Sequence, residues 1–127
     1  MLIFGHKLSQ VPIIDISSGS QIATTSRPVI DWTTLRVVGL LVDHRRRSGL
    51  ILTTSDIREY NTELILVNSE DDLIEVEEII RLRPLVKQDF RLIGAHIKTE
   101  SGASLGSVSE YSFDPKTFII QQLYTKR

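Results

Sequence analysis

Cysteine is absent from the 127 residues, which excludes disulfides, thiolate nucleophiles and zinc–thiolate sites together and fits a reducing compartment. Aromatic residues make up only 6%, too few to lay out a base-stacking platform. Neither sign of charge dominates: the formal net charge is −1, so bulk electrostatics drives the chain neither onto nucleic acid nor onto anionic lipid. Histidine occurs three times, as His6, His44 and His96, in separate segments without the spacing of a metal-binding pair. The longest apolar run, Val37 to Val42, contains Gly39 and falls far short of the roughly 18 residues of a spanning helix. Met1 to Lys7 is interrupted too soon for a signal peptide. The expectation is a cytoplasmic protein with no membrane insertion.

What is present is a repeat. Shifting the sequence by 83 positions, from Gly19 to Gly102, aligns Ile14 with Ile97, Ser18-Gly19 with Ser101-Gly102, Asp31 with Asp114, Thr34 with Thr117 and Leu40 with Leu123, without a gap. Each copy reads as strand, turn, strand, turn, strand. Val11 to Ile16 runs into Ser17-Ser18-Gly19-Ser20, where glycine supplies a positive φ and the serines bond back to the backbone. The next strand, Ile22 to Ile30, carries Pro28, which cannot donate to a ladder and so marks an edge or a bulge. Asp31 to Thr34 and Asp114 to Thr117 are the second turns, and Leu35 to Val42 is apolar on both faces, as a central strand should be.

Only the first copy continues. Strands are expected at Leu50 to Thr53, around Ile57 to Tyr60, and at Glu63 to Asn68. Ser69 then reads as a helix N-cap with acids behind it, and Leu73, Val76, Ile79, Ile80 and Leu82 form a stripe at helical spacing that Arg83-Pro84 ends. A strand at Leu73 to Val76 is the alternative. The expected core is Ile14, Ile22, Ile30, Val37, Gly39, Leu41, Leu52, Ile57, Leu64, Leu66, Leu105, Phe113, Phe118 and Ile120.

Gly19-x-x-Ile22-Ala23, Asp31, the run Val37 to Val42, Leu50-Ile51-Leu52, Asp56-Ile57-Arg58 and Glu63 to Val67 together resemble the PRC-barrel domain. Ser101-Gly102-x-x-Leu105-Gly106-x-Val108, Phe113-Asp114-Pro115 and Phe118 to Tyr124 resemble the first half of another, with Ala23 standing where the family usually has glycine. The resemblance implies a mainly β protein: a small, mostly antiparallel PRC-type β-barrel over residues 1–88, a short helix after its last strand, and a three-strand half-repeat over 89–127. It also implies a module that docks to other macromolecules.

No grouping of nucleophile, base and oxyanion donor, no phosphate-cradling loop and no metal-ligand pattern is visible, so neither catalysis nor a cofactor is expected. The carboxylates of Glu70 to Asp72, Glu75, Glu77 and Glu78 read as a solvated face. Two groups are candidate partner-binding residues. Arg45, Arg46 and Arg47 concentrate three guanidinium groups on one loop, where each can fork onto a carboxylate or phosphate. Phe113, Phe118 and Ile120 belong to the half-repeat, whose completing strands are missing from the sequence. The function expected is a protein-binding adaptor whose partner the sequence does not identify; a ribosome- or RNA-associated factor using the arginine loop is the alternative. An unpaired half-repeat would be covered most simply by a second copy, so a homodimer through residues 90–127 is expected.

Overall fold

A computed structural model describes residues 1–127. Strands β1 (Ile3–Phe4), β2 (Pro12–Asp15), β3 (Ser20–Asp31), β4 (Arg36–Asp43), β5 (Leu50–Thr53), β6 (Glu59–Tyr60), β7 (Ile65–Val67) and β8 (Ile74–Glu75) precede a short helix, α1 (Arg83–Gln88). Strands β9 (His96–Lys98), β10 (Ser104–Phe113) and β11 (Ile120–Lys126) follow it. The first eight strands, less β1, form one sheet in the order β6-β7-β2-β3-β4-β5-β8, antiparallel except for the parallel pair β2–β7. In the second sheet β10 pairs with β11 along one edge and with β9 and β1 along the other.

The two copies share one backbone plan. Thr25↔Val42, Arg27↔Leu41, Val29↔Gly39 and Ile30↔Val37 recur 83 positions on as Val108↔Thr125, Glu110↔Tyr124, Ser112↔Gln122 and Phe113↔Ile120. Both β-bulges recur as well, with Ser26 and Val38 unpaired in the first copy and Ser109 and Gln121 in the second. The bulges at Ile22 and Leu105 also correspond, although the partner strand is offset by one residue. The copies meet where β4 and β11 begin: the Val37 amide donates to the Phe118 carbonyl at 2.9 Å and the Ile120 amide to the Leu35 carbonyl at 2.8 Å. Each donor and acceptor there is the other's equivalent, so the contact has local pseudo-two-fold symmetry.

That single bridge, Arg36↔Ile119, does not close a barrel. Both sheets are open, which corrects the PRC-type β-barrel expected from the resemblance. Closure would require the outer strands of the seven-stranded sheet to pair with a consistent stagger. They are β6 and β8, two residues each, and no ladder joins them.

The expected helix is also displaced. Ser69 does close a capping box, but on one 3₁₀ turn, Glu70–Asp72. Ile74–Glu75 then pairs with β5, so the strand alternative holds there. Four β-branched residues, Ile74, Val76, Ile79 and Ile80, weaken helix formation across the stripe. Pro84 lies in the first turn of α1, where its missing N–H is no loss; it starts the helix instead of ending one.

A 20-residue core spans both sheets, and Val29, Ile51, Val76 and Leu82 form a smaller cluster that Leu85 and Val86 of α1 help to cover. Ile30, Val37, Gly39, Leu52, Phe113, Phe118 and Ile120 are buried as expected. Ile14, Ile22, Leu41, Ile57, Leu64 and Leu66 are half-buried and Leu105 is exposed, while Ile13, Leu40, Ile65 and Val67 take the interior places. In β4 the cause is visible: the bulge at Val38 flips the alternation, so Val37 and Leu40 join the main core while Leu41 packs against the small cluster. Pro28 lies beyond the reach of β2, where one edge of β3 is free, as its missing donor requires.

Three apolar residues of the half-repeat find their cover within the chain. Phe113 and Phe118 stack with centroids 5.7 Å apart, Tyr60 packs on both, and Ile120 is buried in the same core. β1 supplies Phe113 with a ladder partner from the same chain, through Ile3. The apolar sides expected to lie open at Phe113, Phe118 and Ile120 are thus covered by the chain's own core, while the outer edge of β11 stays unpaired beyond its first residues.

Candidate functional site

The arginines lie on the loop from β4 to β5, and that loop is built around a histidine. Nδ1 of His44 faces the backbone amides of Arg46 and Arg47 at 3.1 and 3.2 Å, and both amides donate to it. Its proton therefore sits on Nε2, which donates to the Glu70 carboxylate at 2.7 Å. The ring is nearly buried although its neighbours are exposed.

Glu70 is itself anchored. Its amide donates to Oδ2 of Asp15 at 3.1 Å, and Oδ1 of Asp15 collects the Ser17 hydroxyl and amide. The Ser17 hydroxyl, with these amides adding to it and burial opposing, holds the Asp15 carboxyl below the usual aspartate range. A continuous path of hydrogen bonds thus runs from the Ser17–Gly19 turn through Asp15, Glu70 and His44 to the backbone of the arginine loop.

Arg47 is tied down by Glu75, at 3.1 Å. Arg45 and Arg46 form no ion pair. They line a groove of about 600 Å³ whose other walls are Gln21 to Thr24 of β3, Asp43, His44 and Glu70. Polar side chains and two carboxylates dominate it; the His44 imidazole is its one ring, and no Phe, Tyr or Trp lines it. The structure therefore separates the three candidates, with two cations facing a groove and the third serving the loop.

The other histidine contact is His6 with Glu110, at 2.6 Å. No serine or threonine hydroxyl bonds to either ring, and no group of three or more His, Asp or Glu side chains converges as metal ligands would. No helix is long and apolar enough to cross a membrane. The organising role of His44 was missing from the sequence reading; a lone histidine between a strand end and an arginine run was its only local sign, because Glu70 is remote in sequence.

No family model matches the chain, and no curated protein matches it significantly.

Proposed function

We propose that this protein is a non-catalytic binding adaptor, and that it holds an acidic, extended segment of a partner protein in the groove beside Arg45 and Arg46. The observation that carries this reading is the pairing of two uncommitted guanidinium groups with a loop backbone pinned by His44. Pre-organisation matters because ordering a loop on binding subtracts from affinity. A nucleic-acid strand is a poorer occupant, since the groove offers the single His44 ring and no Phe, Tyr or Trp on which successive bases could stack.

The test is fluorescence anisotropy with a labelled glutamate-rich decapeptide and, separately, a labelled single-stranded RNA decamer at the same ionic strength. Wild-type protein should bind the peptide more tightly than the RNA. Arg45→Ser with Arg46→Ser should weaken peptide binding by about tenfold or more, the scale of lost charge-assisted hydrogen bonds. The double variant should keep its stability to within about 0.5 kcal/mol per site, as solvated loop positions do. Unchanged peptide affinity, or tighter binding of the RNA, would overturn the reading.

A further inference from the structure

A second cavity, of about 390 Å³, lies where the N-terminal 3₁₀ turn, β3, the segment after α1 and β10 come together. Its volume falls within the roughly 300–1,000 Å³ of small-molecule sites. Ile30, Phe90 and Leu92 give it apolar walls, and Arg27 and Arg91 give it cationic ones. Both guanidinium groups lean on one carboxylate, Asp89, which Arg91 meets only at 3.4 Å. One positive charge is left over at this end of the cavity, and Arg91, with its side chain 65% exposed, is loosely held.

The other wall is closed by a tyrosine ring. Tyr111 is almost wholly buried and its hydroxyl makes no hydrogen bond. Any side chain at position 5 would collide with the hydroxyl-bearing end of the ring, so Gly5, itself part of the cavity wall, is what lets that end sit there. Burial, with the Glu110 carboxylate adding to it, pushes the phenol far above its usual range, so the group stays neutral. The hydroxyl oxygen has less than 1 Å² of accessible surface, so Tyr111 closes this side of the cavity with its ring and offers a guest no hydrogen bond.

We propose that this cavity is a binding site for a small organic anion with an apolar body, its charge held by Arg91 and Arg27 and its body packed against Ile30, Phe90 and Leu92. The site is independent of the arginine loop. The probe is 8-anilinonaphthalene-1-sulfonate, titrated by fluorescence, with the uncharged N-phenyl-1-naphthylamine as control. Wild-type protein should show one saturable site for the sulfonate, with the uncharged amine bound at least about tenfold more weakly. Arg91→Gln should weaken sulfonate binding by about tenfold, whereas Tyr111→Phe, which keeps the ring, should leave it within about twofold. Tyr111→Phe should at the same time keep or raise the melting temperature, because it deletes only an unpartnered polar atom. The Arg45→Ser, Arg46→Ser variant should bind the probe as wild type does, which separates this site from the adaptor groove. No saturable binding to folded wild-type protein, an equal affinity for the uncharged amine, or wild-type affinity in Arg91→Gln would overturn the proposal.

Discussion

Leu40 and Leu123 occupy the same register position in the two copies, opposite Pro28 and Tyr111 respectively, yet Leu40 is wholly buried and Leu123 is 37% exposed. The difference lies in what flanks them. β4 is covered on its outer edge by β5, through Gly39↔Thr53, Leu40↔Leu52 and Leu41↔Ile51, whereas β11 has no neighbour beyond its first residues. The side chains follow suit: Val37 to Val42 is apolar on both faces, while Gln121, Gln122, Thr125 and Lys126 give β11 the polar character that keeps an edge from recruiting strands. Turns and bulges thus repeat the pairing pattern, and composition decides whether the resulting strand is central or peripheral.

The sharpest way to break this comparison is to truncate both leucines. Leu40→Ala should cost about 2–5 kcal/mol in urea unfolding, as cavity-forming changes in a packed core do. Leu123→Ala should cost roughly 1 kcal/mol or less, because most surface substitutions are nearly neutral. Equal losses would mean that β11 is covered in solution. If the loss at Leu123 also varied with protein concentration, a second copy would be the cover, as the sequence expectation of self-association requires.

Thr25 and Val108 are a second equivalent pair, both fully enclosed. The Thr25 hydroxyl accepts from the Val11 amide at 2.8 Å and donates to the Leu8 carbonyl at 2.7 Å, tying the N-terminal turn to the first copy. Val108 fills the matching place with hydrocarbon alone. Thr25→Val keeps the shape and strands two backbone groups, so it should destabilise by about 1–3 kcal/mol for each group that finds no other partner. Val108→Thr should lose a similar amount by burying an unpaired hydroxyl. A thermal melt in which either exchange is silent would show that the enclosure at that position is loose enough to admit water.

Much of this architecture was legible, and the legible part is local. Gly19 and Gly102 both adopt positive φ, Asp31 and Asp114 both organise turns by accepting amides, and Pro28 sits at a free edge, because each depends on neighbouring residues alone. The same locality explains why the barrel reading failed: the residues carrying the resemblance specify turns and strand cores, which an open sheet uses as readily as a closed one. Illegible features were those settled at long range. Ile3 pairing with Phe113, His44 meeting Glu70, and Tyr111 resting on Gly5 join segments far apart in the chain. The phase error in β4 came from the bulge at Val38, and no residue in that apolar run announces it. In the candidate site the arginine run was visible, but its division into two groove-facing cations and one paired with Glu75 was not.

The smallest expected effect concerns the turn that both copies share. Leu35 and Phe118 close it at equivalent positions with φ of 52° and 61°, a left-handed backbone that side chains make unfavourable by roughly 1–2 kcal/mol. Phe118 justifies the strain by stacking on Phe113 inside the core, and its removal would sacrifice that packing. Leu35 has no such return, since it is exposed, and the carbonyl it offers to the Ile120 amide belongs to the backbone and survives substitution. Leu35→Gly should therefore relieve the strain while losing part of the gain to the greater freedom of glycine in the unfolded chain, about 0.5–1 kcal/mol. The net result should be a stabilisation of about 0.5 kcal/mol, readable as a raised urea midpoint at unchanged slope. A lowered midpoint would show that the Leu35 side chain contributes packing at the junction between the copies, and that both turns, not only the buried one, hold the two sheets together.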